Sequence, residues 1–371
     1  MDNTILWLWL HQTVRLSAVK ERRLYEHFGS IEAIYGAVLS DYTELEILKA
    51  EDLNRLCDKD TSSAIKAEKD LAKLNTRIVT IDSPLYPDLL KKIIDPPFVL
   101  YCRGRFVDLN DRFAIAMVGT RKPTNYGRQT AFNLARELSL AGTVIVSGMA
   151  LGIDAKSHEG ALSGGTPTVA VIGCGVDIAY PKTNAPIMKK IMENGMVISE
   201  YPPGTPPEKY HFPERNRIIS GLCQGTLVVE ADFKSGSLIT AKTAREQNRD
   251  VFAVPGNINS IMSKGTNYLL KDGAFFVTCA EDVTKCYHLD YPELFLAKAR
   301  ESSPTQYTED NSSPEAKILR AIGENTVHTD SICSVTGLDI GTVNSTLLMM
   351  ELTGKVIKMP GGYYGSTSDN K

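Results

Sequence analysis

A regular alternation of strands and helices between residues 114 and 254 constrains the fold more than any other feature. Short, almost wholly apolar runs predict strands at residues 114–118, 143–147, 168–172, 196–199, 226–229 and 251–254. The segments between them predict helices near residues 126–141, 155–163, 184–194, 214–223 and 238–248. Continuous apolar strands that alternate with helices are typical of a sheet covered on both faces. The sequence therefore predicts an α/β protein with a doubly wound, mainly parallel sheet.

The chain on either side of this alternation has a different pattern. Residues 1–74 have apolar side chains at helical spacings and few turn signals. Within them, residues 16–30 have the outline of a helix-hairpin-helix whose turn lacks the phosphate-binding glycines. We interpret 1–74 as a helical, SAM or helix-hairpin-helix-like module for packing or partner binding, with direct DNA binding as the alternative. Two further strands, 77–81 and 98–101, open a domain that we place at 75–295.

The C-terminal part predicts a small separate domain. Residues 296–313 are polar and have no apolar periodicity, so we interpret them as a linker. Residues 314–366 then predict three helices and a strand pair, which is the outline of a winged helix. The second helix of its helix-turn-helix, residues 339–352, contains no Lys or Arg. Because a groove-reading helix normally carries such residues, a protein-contact or regulatory role is favoured over reading of duplex DNA.

Charge and cysteine content narrow the classes of protein and site. The formal net charge of −3 excludes a uniformly basic nucleic-acid coat, so any such site must be a local patch. The seven cysteines are scattered without a C-x-x-C pair, which indicates a reduced cytosol and neither a zinc site nor a disulfide framework. The N-terminus has no basic region ahead of its apolar residues, and no apolar run approaches the roughly 20 residues of a membrane span. We therefore expect a cytoplasmic protein with no membrane contact.

Glycine-bearing loops follow most of the predicted parallel strands. They lie at residues 118–123, 147–154, 173–177, 200–204 and 230–237. Ligands of open parallel sheets bind outside the carboxyl ends of the strands. Glycine lets backbone N–H groups approach a phosphate closely, although tight strand–helix turns use glycine as well. Several such loops at one edge predict an anion-binding site there.

The stretch from Phe212 to Gly221 combines an aromatic ring with two guanidinium groups. Pro213 is expected at the first helical position. A ring beside cations at a helix start suits a nucleotide or a nucleic-acid strand, whereas the alternative is a core ring with paired arginines. Arg215 and Arg217 point roughly 200° apart on a helix. One is expected to meet phosphate while the other pairs with Glu200 or Glu230.

The motifs of several enzyme classes are missing from the sequence. It has no G-x-x-x-x-G-K-[ST], no G-x-G-x-x-G and no H-E-x-x-H. No general base lies beside the hydroxyls of Ser147, Ser235 or Ser237 in the sequence. We therefore expect no catalytic residue, no metal and no cofactor. The alternative is a nucleotide-processing, phosphoribohydrolase-like enzyme, but Thr240 occupies the position where that class has its acidic residue.

Seven segments together resemble the DNA-processing protein A family (DprA, also called Smf). They are VGTRKPTNYG (118–127), SGMALGID (147–154), GCGVD (173–177) with YPK (180–182), SEYPPG (199–204), FPERNRIISG (212–221), KSGSLITA (234–241) and FAVPG (252–256). The resemblance runs from about residue 77 to 285. It implies an extended Rossmann-like domain that binds single-stranded DNA without cutting it. It also implies roles in natural transformation and DNA uptake: protection of incoming strands, action against single-strand-binding protein and loading of RecA.

The resemblance also implies a homodimer through the Rossmann-like domain and a set of DNA-binding residues. Carried onto matching positions, that set is Arg121, Lys182, Lys209, Phe212, Arg215, Arg217, Ser235, Gly236 and Ser237. The loops at the same edge add Ser147, Gly148, Gly173, Gly175, Asn216 and Lys234. A winged-helix transcription regulator with a ligand-sensing α/β domain is a further alternative, against which the acidic second helix argues.

Overall fold

The protein is described here by a computed structural model covering residues 2–14, 16–292, 314–323, 326–352, 355–359 and 361–366. The linker expected at 296–313 lies outside the described residues. The chain divides into two compact units, Met1–Lys298 and Ala299–Lys371.

A mostly parallel sheet forms the centre of the first unit. Its nine strands within the described residues are β1 (Thr76–Thr80), β2 (Val99–Gly104), β3 (Ala114–Val118), β4 (Val144–Ser147), β5 (Thr168–Val171), β6 (Met196–Ser199), β7 (Gly225–Val228), β8 (Asp250–Ala253) and β9 (Phe275–Phe276). Their order is β1-β2-β6-β5-β4-β3-β7-β8-β9. All neighbours from β6 to β9 are parallel, and the pairs β1–β2 and β2–β6 are antiparallel. The predicted doubly wound, mainly parallel α/β architecture is confirmed.

Helices connect and cover these strands. The α-helices are Asn3–Leu8, Ala18–Phe28, Ile31–Gly36, Leu39–Thr43, Ala50–Cys57, Ser62–Lys73, Asp88–Lys91, Asn125–Leu140, Ile153–Gly164, Ala185–Asn194, His211–Gly221, Ser237–Glu246, Lys264–Lys271 and Glu281–Thr284. A π-helix spans Trp9–Val14, and short 3-10 helices span Lys182–Asn184, Ile261–Ser263 and Lys285–Tyr287. The helical N-terminus expected from the apolar spacing is confirmed.

The buried side chains of β3 divide between two hydrophobic clusters. Ala114, Ala116 and Val118 belong to one cluster, which includes the helices Ala185–Asn194, His211–Gly221 and Ser237–Glu246. Ile115 and Met117 belong to the other, which includes the helices Asn125–Leu140 and Ile153–Gly164. Because successive side chains of a strand point to opposite faces, a strand buried on both faces is apolar at every position. This burial explains the continuous apolar runs in the sequence.

The N-terminal helices pack against the antiparallel end of the sheet. The Trp7 ring stacks on Phe98 at a centroid distance of 5.2 Å, and Gln12 Nε2 donates to the Tyr101 hydroxyl at 2.8 Å. His11 Nε2 lies 3.0 Å from the carbonyl oxygen of Glu200, directly after β6. These helices therefore support the strand end from which the chain continues toward Phe212.

Gly160 marks the close approach of the two helices Asn125–Leu140 and Ile153–Gly164. A Cβ placed on Gly160 would overlap with the Phe132 carbonyl oxygen and lie 2.9 Å from the Ala135 Cβ. We expect Gly160→Ala to lower the free energy of unfolding by about 1–3 kcal/mol because the helices must separate. Urea unfolding measures this change. Gly36→Ala is the control, since space is open around Gly36 and the substitution should be neutral or slightly stabilising.

The second unit is a winged helix. Its described elements are the helices Pro314–Ile322, Thr329–Thr336 and Ile340–Leu352 and the strands β10 (Val327–His328), β11 (Val356–Met359) and β12 (Tyr363–Ser366), in the order β10-β12-β11. Ile318, Ile332, Val343 and Leu347 are fully buried at its centre. No single helix among the described residues is long and apolar enough to span a membrane. The bent pair Thr329–Thr336 and Ile340–Glu351 together reaches the length and apolar composition of a span.

One local expectation differs from the structure, and two elements of the structure were not expected. The helix expected from residue 214 begins at His211, so Pro213 is its third residue instead of its first. This is compatible with proline, because the N–H groups of the first helical turn have no intrahelical partner. The short edge strand β9 and the helix Lys264–Lys271 were not predicted, since neither has a long enough apolar run to signal it.

Candidate nucleic-acid interface

A cleft of about 680 Å³ opens at the carboxyl ends of the parallel strands. The loops or helix starts that follow β3, β4, β5, β6 and β7 all contribute to its lining. The cations in the lining are Arg121, Lys122, Lys209, Arg215 and Lys234, and the carboxylates are Asp154 and Asp232. The cleft is therefore a local basic patch on a chain whose net charge is slightly negative.

An aromatic pair forms one wall of the cleft. Phe212, in the first turn of the helix His211–Gly221, stacks on Tyr180 at 5.4 Å and 28° between ring planes. The Arg121 guanidinium lies over the Phe212 ring at 5.5 Å from its centroid. Gly173 lies behind Phe212, where an added Cβ would meet the ring at 3.3 Å. The arrangement presents a flat apolar surface with an exposed guanidinium above it, which suits a nucleic-acid base beside a phosphate.

Arg215 lines the cleft although its residue is only 4% exposed. Its Nη1 donates to the carbonyl oxygens of Gly148, at 2.8 Å, and Val171. Burial lowers the pKa of the guanidinium to about 10, and the nearby Asp154 partly offsets that effect. At neutral pH the group is therefore a fixed positive charge, held in place by backbone oxygens at the base of the cleft.

Arg217 does not line the cleft. Its Nη1 and Nη2 donate to Glu200 at 3.0 and 2.7 Å, and its Nε donates to Asp95 at 2.9 Å. Its side chain is 12% exposed, and although burial opposes the charge, Glu200 and Asp95 raise the pKa of Arg217 above its ordinary value. Glu200 is thus the carboxylate partner. Glu230 instead accepts hydrogen bonds from the backbone N and hydroxyl of Thr124 at 2.8 and 2.6 Å.

The Ser235–Ser237 loop lines the cleft and leads directly into the helix Ser237–Glu246. The hydroxyls of Ser235 and Ser237 are 2.7 Å apart, and space is open around Gly236. Asp232 Oδ1 accepts the backbone N–H of Lys234 at 2.7 Å, which orders the loop and leaves the lysine side chain exposed. Hydroxyls and a lysine at a helix start can bind an anion.

The remaining expected site residues divide into those at the cleft and those away from it. Lys209 and Asn216 line the cleft, and Gly148 lines a smaller adjoining pocket of about 70 Å³ together with Arg121, Tyr180 and Phe212. Ser147 is fully buried and its hydroxyl donates to the Met117 carbonyl oxygen at 2.6 Å. Gly175 packs against Asp177 and Gly204, and the exposed Lys182 is outside the lining.

Tyr180 and Lys122 are cleft residues that the sequence-based site omits. Tyr180 follows the Gly173 loop directly and precedes Lys182, so its place in a glycine-bearing segment was a usable signal. The stacking of Tyr180 on Phe212, 32 residues later, depends on two separate loops meeting and could not be found by spacing.

His158 and Thr240 are both buried. The His158 imidazole is buried against Thr168 at 2.8 Å, and burial lowers its pKa to about 3, so it is neutral at physiological pH. Thr240, at the position of the acidic residue in phosphoribohydrolases, is buried in the lining. Among the residues that the structure describes, no group of three or more His, Cys, Asp or Glu is placed to hold a metal ion.

Residues 77–288 match the family described as DNA recombination-mediator protein A, and residues 302–362 match the DprA winged helix domain. Protein Smf of Escherichia coli is 34% identical over 367 residues, covering 98% of this chain and 96% of that protein. DNA processing protein DprA of Streptococcus pneumoniae is 45% identical over 198 residues, covering 53% of this chain and 70% of that protein.

Two solved structures at 35% sequence identity resemble the fold. DprA from Streptococcus pneumoniae has a TM-score of 0.69, over 77% of this chain and 98% of that chain. DNA processing protein A from Helicobacter pylori, whose structure is described for its single-stranded DNA binding mode, has a TM-score of 0.52, over 58% of this chain and 97% of that chain.

Proposed function

This chain belongs to the DNA-processing protein A (DprA/Smf) family, and we propose that it binds single-stranded DNA as a recombination mediator without cutting it. The strand would follow the cleft at the carboxyl ends of the parallel strands. The observation that carries the proposal is the stack of Tyr180 and Phe212 with the Arg121 guanidinium above it. Such a stack supplies base contact and backbone charge together, whatever the base sequence.

Within this proposal we give each residue of the cleft a role that is compatible with its position. Phe212 and Tyr180 stack on bases, and Arg121, Arg215, Lys209 and Lys234 meet phosphates, with Asn216 and the Ser235–Ser237 loop donating hydrogen bonds. Arg215 is the guanidinium that reaches phosphate, because it lines the cleft, whereas Arg217 is occupied by Glu200 and Asp95. Gly148, Gly173 and Gly175 let Arg215, Phe212 and Asp177 approach the backbone closely. The buried Ser147 supports the site from within the core, and the exposed Lys182 meets phosphate from outside the lining.

Salt dependence and an arginine substitution test the proposal together. We expect affinity for a fluorescent single-stranded oligonucleotide to fall steeply as the salt concentration rises. Arg121→Ala should weaken the affinity about tenfold and reduce the slope of log affinity against log salt concentration by about one. Fluorescence anisotropy at several salt concentrations measures both. Arg136→Ala removes an exposed arginine outside the cleft lining and should change little. Wild-type affinity that is insensitive to salt and to Arg121→Ala would contradict single-strand binding in the cleft.

The finer biological role is part of the same proposal. We infer protection of incoming strands, action against single-strand-binding protein and loading of RecA during natural transformation, in the cytoplasm and with no catalytic turnover. RecA filament assembly on strands coated with single-strand-binding protein, with and without this protein, tests this role. We also propose the division into 1–74, 75–295, 296–313 and 314–366. The winged helix would contact protein, because Asp339 to Leu352 contains no Lys or Arg.

The homodimer is proposed to form through the Rossmann-like domain. Exposed apolar side chains gather around the β9 edge of the sheet and the segments next to it: Ile258, Ile261, Tyr268, Phe275 and Phe276. An edge strand with two exposed phenylalanines is a site where a second chain can pair or pack. Sedimentation equilibrium of the full chain tests this association.

A further inference from the structure

The carboxylate of Asp154 lies among the cations of the cleft. Asp154 is in the first turn of the helix Ile153–Gly164, is 6% exposed and lines the cleft. Two arginines of the same lining act on its charge from different elements: Arg215 from the helix His211–Gly221, and Arg121 from the loop after β3. A negative charge at this point weakens the attraction that both arginines exert on an anionic ligand.

Gly148 separates this carboxylate from the Arg215 guanidinium. A Cβ on Gly148 would lie 2.6 Å from Arg215 Nη2 and 2.7 Å from Asp154 Oδ2. Because Gly148 has no Cβ, the two charged groups approach the same small space beside its Cα without closing a bidentate pair. A guanidinium in this position is shared, because Asp154 attracts it from one side while the cleft leaves room for a phosphate on the other.

We propose that Asp154 competes with bound phosphate for Arg121 and Arg215 and thereby speeds release of the strand, an inference that rests on the proposed binding of single strands in this cleft. In the free protein the carboxylate neutralises part of the arginine charge. In the complex, phosphate and carboxylate repel each other across the same two guanidiniums. A mediator that must transfer its strand to another protein needs such a limit on its residence time.

The hydrogen bonding of Asp154 supports this role over a purely structural one. Its carboxylate accepts hydrogen bonds from two backbone N–H groups, that of Ala150 at 3.3 Å to Oδ2 and that of Gly148. The amide oxygen of an asparagine side chain has two lone pairs and can accept such bonds as well. Asp232, the other carboxylate of the lining, instead accepts the Lys234 N–H at 2.7 Å and orders its own loop. The negative charge of Asp154 is thus not required for its local bonding.

The decisive substitution is Asp154→Asn. We expect single-stranded DNA to dissociate more slowly and to bind about tenfold more tightly, because the variant keeps the shape and the acceptor but loses the charge. Stopped-flow dissociation into excess competitor strand gives the rate. Glu159→Gln is the charge-matched control on the same helix, since Glu159 is half-exposed, pairs with Lys156 and lies outside the lining. Its dissociation rate should equal that of the wild type.

The pH dependence gives a second readout. Burial raises the pKa of Asp154, although Arg215 and Arg121 act against it, and a bound phosphate would raise it further. Protonation removes the competing charge, so wild-type dissociation should slow as pH falls from neutrality to about 4, the ordinary carboxyl range. Arg215 stays charged and His158, one turn along the helix, stays neutral over this range. The Asp154→Asn rate should change less.

Two results overturn the proposal. One is an Asp154→Asn variant that folds, as judged by its thermal melting, but dissociates at the wild-type rate or faster. The other result applies even if that variant does not fold. It is a wild-type dissociation rate that does not change with pH. Failure of the proposed function has a different signature, namely no salt-sensitive binding of single strands by the wild type at all. If Arg121→Ala weakens binding but Asp154→Asn does not tighten it, the proposed binding of single strands stands and only the role of Asp154 is rejected.

Discussion

Replacing Arg217 with methionine should lower the free energy of unfolding by about 3–5 kcal/mol. The guanidinium makes two bonds to Glu200 and one to Asp95, and both it and Glu200 are mostly buried, at 12% and 14% exposed. Methionine fills much of the same volume but leaves the Glu200 carboxylate without its partner in a poorly solvated position. Asp95 is 43% exposed and contributes less, since water can replace its bond.

Urea unfolding of Arg217→Met measures this loss, and Arg245→Met is its control. The ion pair of Arg245 with Asp272 is more exposed, at 36% and 47%, so its removal should cost only about 0–1 kcal/mol. The folded Arg217→Met protein should bind single-stranded DNA within about twofold of the wild type, because the side chain is outside the cleft. Normal stability with strongly weakened DNA binding would show that Arg217, not Arg215, meets the phosphate.

Removing the ring of Phe212 should have the largest single effect on DNA binding. We expect Phe212→Ala to weaken affinity for a short oligonucleotide by about tenfold to a hundredfold, which corresponds to a stacking loss of about 1–3 kcal/mol. The loss would include more than the ring itself. Tyr180 loses the partner on which it stacks at 5.4 Å, and the Arg121 guanidinium loses the surface over which it lies.

Fluorescence anisotropy of Phe212→Ala should be compared with two further variants. Phe212→Trp keeps a flat ring and should retain most of the affinity. Tyr126→Ala removes an exposed aromatic side chain outside the cleft lining and should have no effect. Equal affinities for Phe212→Ala and the wild type, with the fold intact, would exclude base stacking on this ring.

The fold was predictable from the sequence because its determinants are local and periodic. A strand buried on both faces must be apolar at every position, and β3 illustrates this by dividing its side chains between two hydrophobic clusters. The helices between the strands carry a one-face stripe, as Ala131, Leu134, Ala135 and Leu138 do. The edge strand β9 has only two residues, which is too short for its apolar pattern to be distinguished from a loop.

The location of the cleft was also predictable, because parallel strands bring their carboxyl ends to one edge and the glycine-bearing loops follow those ends. The side-chain assignments within it were not. Arg215 and Arg217 are two residues apart and equally charged in the sequence. Their different roles depend on what each guanidinium meets: two backbone oxygens and the cleft for Arg215, and two carboxylates for Arg217.

The sequence by itself determined the α/β architecture, the winged helix and the family, because periodicity, turn residues and motifs are properties of neighbouring positions. Tertiary structure alone decided which distant side chains meet. It stacked Tyr180 on Phe212, paired Arg217 with Glu200 and Asp95, and brought Asp154 and Arg215 together beside Gly148. The physical reason is that charge and stacking energies depend on distances of a few ångströms between separate loops, and only the folded sheet fixes those distances.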